Sequence, residues 1–248
     1  VPGRSMSTLI KTDGIVLDHV LYRDTSAIIH VYTRELGRQN YIVNGVKGNR
    51  KNRKNVLLQP LNRLAMEVYY SPRKELHRIR EFSLRHPLTR VPYHQNSRAQ
   101  AFFLTELLSK ILTMQERSGE LYDFLDHSVE LLDSDMEGTE NLHLFIMFRL
   151  SGFLGFYPNQ NELGSDAWFD LKNGCFVGRE PAHPLVLTPN KATKFARLFN
   201  MDVFSLKELA RNAAERQILL EALLDFFRIH THGFGTLRSL EVLHAMLH

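Results

Sequence analysis

Residues 47–54 read KGNRKNRK, so Lys47, Arg50, Lys51, Arg53 and Lys54 place five cations in eight positions, with one glycine and no acid among them. A run without carboxylate partners nearby in sequence cannot neutralise itself, and a polyanion supplies the missing countercharge. Phosphate backbones are the usual one, and each phosphate neutralised releases counterions, so binding should weaken steeply with salt. Arg34 and Arg38 flank the turn after the second predicted strand and are expected to extend the same face. Arg73, Lys74, Arg78 and Arg80 form a second basic group. Alternation puts Arg78 and Arg80 on one side of a strand with Leu76, a side that bears either solvent or DNA. Tyr22, Tyr32, Tyr41, Tyr69 and Tyr70 lie in the same stretch, where rings serve barrel packing or base stacking.

Charge shows that the run is not isolated. Residues 1–90 hold 17 Lys and Arg against 7 Asp and Glu, a net of +10, whereas residues 91–248 hold 14 against 20, a net of −6. Such asymmetry suggests a part that faces nucleic acid and a part with another task. Other chemistries find little support. A Walker A loop, a GxSxG elbow, a GxGxxG turn and HExxH are all absent from the sequence. Among twelve histidines, His244 and His248 stand four apart and His230 and His232 bracket Thr231, but no carboxylate follows at ligand spacing. The acidic run 133–140 reads as a solvated loop. The single Cys175 excludes an internal disulfide. We expect no enzymatic activity, no cofactor and no metal.

These residues need elements to hold them. Apolar and β-branched residues alternate over 10–22, 27–33, 39–46, 61–71 and 75–84, with a turn at Glu35-Leu36-Gly37 and a short helix or turn near 56–60 that Pro60 ends. Leu64, Met66 and Val68 share one face. Five strands with an insertion after the third suit a closed OB barrel. The period then becomes helical over 97–112, 121–132, 142–153, 190–199, 205–229 and 237–247. The third of these is apolar nearly all round and should lie at the centre of a bundle. Residues 155–188 read as irregular or weakly β. The expected class is therefore α+β: an OB-fold domain over 6–86 and a helical domain over 92–248. VPGRS, ahead of Met6, reads as an expression remnant outside the fold. The longest apolar runs are far shorter than the about 20 residues that a membrane span needs, so a cytoplasmic location is expected.

The stretches GIVLDHVLYRDTSAIIHVYTRELG, NGVKGNRKNRKNVLLQPLNRLAMEVYY, LSGFLGFYPN and RIHTHGFGTLRSLEVL, in that order and spacing, resemble the RecO family of bacterial recombination mediators. The first two carry a TxExG-like turn and a basic run followed by LxP. The resemblance covers essentially the chain from Met6 onward. It implies an OB-fold domain, a helical domain, binding of single- and double-stranded DNA, strand annealing, and loading of recombinase onto coated single strands near the nucleoid. It also implies two protein partners, RecR and the tail of single-stranded-DNA-binding protein. An acidic tail ending in an apolar residue wants an apolar pocket with cations at its rim. Phe148, Arg149 and Lys110 are the candidates for that pocket. Many family members carry four zinc-binding cysteines where this chain has NQNELGSDAWFDLKNGCFVGREP, with Cys175 alone. The segment must then be held by packing, with Trp168, Phe169 and Phe176 as anchors. Rival readings are an OB-fold adaptor for proteins, whose DNA contact is incidental, and a metal-dependent nuclease.

Overall fold

The computed structural model describes residues 7–23, 25–46, 54–112, 117–164 and 166–247, without the side chains of Lys54 and Asn55. Five strands come first: β1 (Thr8–Tyr22), β2 (Ser26–Thr33), β3 (Gly37–Asn44), β4 (Arg63–Tyr70) and β5 (Leu76–His86). The one-turn helix α1 (Lys54–Leu57) stands between β3 and β4. They close into a barrel in the order β1-β2-β3-β5-β4, with β3 and β5 parallel. This is the OB fold that the alternation predicts. Ala27, Ile29 and Val31 of β2, Tyr41 and Val43 of β3, and Leu64, Met66 and Val68 of β4 point inward and are at most 4% exposed. β1 pairs with β4 through its first half and with β2 through its second, and a bulge between Val16 and Asp18 bends it along the way.

The TxExG motif is explained by the β2–β3 turn. The buried Thr33 hydroxyl donates to the Gly37 carbonyl (2.8 Å) and accepts from the Leu36 N–H (3.1 Å). Gly37 takes φ +65°, a value at which a side chain would be strained.

Helices α2 (Gln95–Ile111) and α3 (Gly119–Leu132) follow. The chain divides into two compact units, Val1–His94 with Ala101–Asp133, and Gln95–Gln100 with Ser134–His248. Most of α2 and all of α3 thus belong with the barrel, although the sequence boundary near residue 90 assigns them to the helical domain. Tertiary packing joins them to it, through arginines described below.

The second unit holds α4 (Leu142–Phe153), β6 (Trp168–Asp170), β7 (Cys175–Val177), β8 (Val186–Leu187), α5 (Pro189–Ala196), α6 (Leu206–Leu209), α7 (Ala213–His230) and α8 (Ser239–Leu247). Nine of the twelve residues of α4 are buried, as its all-round apolar sequence requires. Its end explains LSGFLGF: Gly155 at φ +83° lets the Phe156 N–H reach the Ser151 carbonyl (3.0 Å) and its own N–H reach that of Gly152 (3.1 Å). Strands β6, β7 and β8 form a small antiparallel sheet within the segment expected to be irregular or weakly β.

The single helix expected over 205–229 is two. The break is held from both sides. Asn141, fully buried, donates to the carbonyls of Leu206 (2.8 Å) and Ala210 (3.0 Å). Asn212 then caps α7 by accepting from the Glu215 N–H (2.9 Å), while Glu215 accepts from the Arg211 N–H (3.1 Å).

Candidate nucleic-acid interface

The β2–β3 hairpin has two ends: Arg34 and Arg38 stand at one, and the described chain leaves the barrel at the other. Lys47, Arg50, Lys51 and Arg53 lie outside the described residues, and Lys54 opens α1. The chain that leads into them leaves the barrel at Val46, whose N–H donates to the Thr25 carbonyl (2.7 Å). Beside that exit Asn44 stands opposite Ser26, whose hydroxyl donates to the Asn44 Oδ1 (3.0 Å), and Ser26 stands opposite Tyr22.

Arg34 and Arg38 sit at the other end, where Thr33 faces Gly37. Eight residues of strand separate the two ends, about 25 Å at 3.3 Å per residue. Both side chains are committed within the protein. Arg38 donates to the carbonyls of Ser109 (2.8 Å) and Leu112 (2.7 Å), closing the C-terminus of α2. Arg34 makes a two-pronged pair with Asp123 of α3 and lies 5.7 Å from the ring centre of Tyr122. Both therefore work inside the barrel unit, a full strand length from Val46, where the described chain leaves the wall.

Asp123 belongs to an acidic stripe that the sequence pattern did not single out. Asp123, Asp126, Glu130 and Asp133 recur at intervals of three, four and three, so they share one side of α3. Arg63, 4% exposed, donates to Glu130 (2.9 Å) and lies 3.7 Å from Asp126. Arg85 reaches Asp126 (3.3 Å), Asp13 (3.4 Å) and the Tyr122 hydroxyl (3.2 Å). Asp133 accepts the backbone N–H groups of Thr89 (2.8 Å), Arg90 (2.7 Å) and Val91 (2.8 Å). Burial alone would raise the Asp133 carboxyl, but these donors hold it below the usual carboxylate range. Part of the charge asymmetry between the two halves of the sequence is thus an internal docking of α3 on the barrel.

The outer side of the barrel near the exit has a different character. Strand register sets Val20 beside Ile28, Ile28 beside Ile42, Ile42 beside Arg78, and Arg78 beside Tyr69. A polar row, Tyr22, Ser26 and Asn44, lies on one side, and Asp18, His30, Asn40 and Leu76 on the other. Within the polar rows, His30 Nδ1 is 2.6 Å from Asn40 Oδ1. Val20 is 55% and Tyr69 42% exposed, Arg78 is exposed, and Ile28 and Ile42 are half-buried. Arg78 makes no hydrogen bond or ion pair among the described residues. Arg80, two residues on, pairs with Glu67 (3.2 Å), which also holds Lys11 (3.3 Å). Of the candidate stacking rings, Tyr32 and Tyr41 are core residues, at 1% and 0% exposure. Tyr70 packs against the buried His77, with ring centres 5.0 Å apart. Farther along β4 and β5 a groove of about 490 Å³ is lined by Asp13, Glu67, Glu81 and Lys11 over Met66 and Phe82. Its carboxylates make it unsuited to a polyanion.

The helical unit changes the partner candidates. Phe148 is fully buried among Tyr157, Phe195 and Phe199, at ring separations of 5.1, 6.1 and 4.9 Å. That corrects its assignment to a partner pocket: α4 is apolar because it is core. Arg149 donates to the Met201 carbonyl (2.8 Å) and lies over Phe145. Lys110 is half-buried in the last turn of α2.

Among the described residues no group of three or more His, Cys, Asp or Glu is placed to hold a metal ion. Asp170, opposite Cys175, accepts from the N–H groups of Lys172 (2.9 Å) and Asn173 (3.0 Å) and from the Asn173 side chain (2.7 Å). Aromatic packing holds the sheet. Phe169 and Phe176, at 0% and 1% exposure, meet at 4.9 Å, and Phe169 meets Phe195 of α5 at 4.7 Å. Trp168 is half-buried.

Comparison with known proteins bears on the whole chain. The family described as Recombination protein O N terminal matches residues 6–88, and Recombination protein O C terminal matches residues 98–241. A protein named DNA repair protein RecO from Phocaeicola vulgatus is 36% identical over 235 residues, 95% of this chain and 98% of that one. One from Bacteroides fragilis is 34% identical over 236 residues, again 95% and 98%, and one from Porphyromonas gingivalis 32% over 244 residues, 96% and 99%. Among the described residues no helix is long and apolar enough to cross a membrane. With the OB barrel, the helical unit and matches of this length in agreement, the chain belongs to the RecO family of DNA repair proteins.

Proposed function

We propose that the protein is a non-enzymatic recombination mediator that binds single- and double-stranded DNA, anneals complementary strands and helps to load recombinase onto coated single strands. The observation that carries this reading is the exit at Val46, where the chain runs from the barrel wall into KGNRKNRK close to a face whose arginine, Arg78, has no internal partner among the described residues. Cations there would neutralise phosphates of two strands together and reduce their mutual repulsion. Lys47, Arg50, Lys51, Arg53, Lys54 and Arg78 form the proposed contact set. Arg80 stands beside it and is tempered by Glu67, while Arg34 and Arg38 position α3 and α2. RecR and the tail of single-stranded-DNA-binding protein are the proposed protein partners, and the nucleoid is the proposed place of work.

The test is single-stranded DNA affinity across several salt concentrations, for the parent and for a variant with all five cations of the run changed to Ala. The expected result is a weaker affinity and a salt slope shallower by several units, about 0.7 for each phosphate of a single strand that is no longer neutralised. Unchanged affinity and slope would overturn the reading. They would favour the adaptor alternative, to which the acid-lined groove offers a docking place for a basic partner.

A further inference from the structure

We propose that α8 is an acid-sensitive lid on the helical unit, closed while His143 beneath it is neutral and released when that ring takes a proton. The lid is held through a small part of its surface. Of its nine residues Leu243 and Leu247 are buried, whereas Val242 and Met246 are 45% and 39% exposed. The two leucines share a small cleft with His143 of α4 and with Arg216 and Leu220 of α7. Arg216 adds a polar tie by donating to the Leu247 carbonyl (2.7 Å) in the last turn of α8. The connection from α7 carries two glycines in the left-handed region, Gly233 at φ +70° and Gly235 at φ +62°. Phe234 between them is buried and fixes the base of this hinge. An element anchored by two buried side chains opens locally at a lower free energy than the bundle that bears it.

Gln100 sets the protonation of the ring. Its amide nitrogen donates to the Thr139 carbonyl (2.9 Å), which turns Oε1 toward α4. There Oε1 accepts the His143 backbone N–H (3.1 Å) and faces Nδ1 (3.2 Å). An oxygen that can only accept requires Nδ1 to carry the hydrogen, so Nε2 is the atom that takes any further proton. The ring is fully buried, with Arg216 of α7 and His244 of α8 as its charged or chargeable neighbours. Burial, then Arg216 and His244, push the imidazole down to about 3, against a weaker opposite pull from the Glu140 backbone carbonyl. In the closed state the ring is therefore neutral above that value, whereas water admitted on opening restores the ordinary value of about 6.5. The released state thus binds the extra proton between the two values. Opening is independent of pH above about 6.5 and gains up to about ten-fold per unit below it.

The experiment follows hydrogen exchange of the full chain from about pH 8 to about pH 5, with each rate corrected for the intrinsic pH dependence of exchange. Protection of α8 in the parent should be constant down to about pH 7 and about 30-fold weaker at pH 5, while α4 and α7 stay protected. His143→Gln keeps a donor toward Gln100 but cannot be protonated, and it should flatten the α8 profile. Leu243→Ala keeps the imidazole and should weaken α8 protection at every pH without changing the slope. An NMR titration of the parent imidazoles needs no variant: His143 should remain neutral at about pH 5 and carry its hydrogen on Nδ1. A pH-independent α8 in the parent would overturn the lid, as would an unaltered slope in His143→Gln. A His143 ring that titrates near its ordinary value in the closed protein would overturn it as well. Acid loss of α4, α7 and α8 together would do the same, since the event would then be unfolding of the whole unit.

Discussion

At the scale of single residues, arginines of the barrel unit fall into two populations that sequence alone does not separate. Arg38 and Arg63 are bonded inside the protein, whereas Arg78 is presented outward. Arg38→Ala should therefore destabilise the chain by about 1–3 kcal/mol, since two carbonyls at the end of α2 lose their donor. DNA affinity should be little changed. Arg78→Ala should do the reverse, weakening DNA binding with no shift of the denaturation midpoint; chemical denaturation and fluorescence anisotropy read the two effects. Asp133 gives a pH signature. Its folded carboxyl lies below the usual range, so its stabilisation is complete above about pH 4, the unfolded value, and is lost as pH falls through the folded value. Asp133→Asn should cost stability at neutral pH and flatten the acid limb of the stability profile. An unchanged limb would show that the three N–H donors contribute nothing.

Elements follow from local sequence where the pattern is strong. The five strands, α2, α3 and α4 lie close to where alternation and helical period put them, because each has one dominant period and a clear stop. Failures occur where a short range cannot decide. β6, β7 and β8 are two or three residues long, too short for a period to register, and they exist because Phe169 and Phe176 have a core to enter. The break at 210–212 was legible in part: Asn212 and Glu215 have capping-box spacing, yet continuous apolar residues on both sides masked it. Asn212→Ala should cost about 1 kcal/mol. The loss is measurable by urea denaturation and should be confined to stability, with DNA affinity unaffected.

For the whole molecule, the sequence divides at about residue 90 and the folded chain divides elsewhere. Family matches at 6–88 and 98–241 follow the sequence boundary, whereas packing places Ala101–Asp133 with the barrel. The OB topology was legible because its strands announce themselves. The docking of α3 was not, since an acidic stripe at intervals of three and four is also what a solvated helix face looks like. The internal bonds of Arg34 and Arg38 were hidden for a related reason: their partners lie 71 to 89 positions away in sequence. A fragment ending at residue 94 should be poorly folded by circular dichroism and proteolysis, while one ending at 133 should show the cooperative melting of a packed barrel. If the shorter fragment melts as cooperatively as the longer one, α3 is dispensable.

The buried Arg63 has a further consequence for how the protein is made. Strands emerging from the ribosome carry this guanidinium without Asp126 and Glu130, because those acids are synthesised more than 60 positions later. The missing stretch from residue 94 to 133 takes about 2–8 s to translate at 5–20 residues per second. For those seconds closing the barrel would bury Arg63 as an unpaired charge, so a stable barrel waits until α3 arrives.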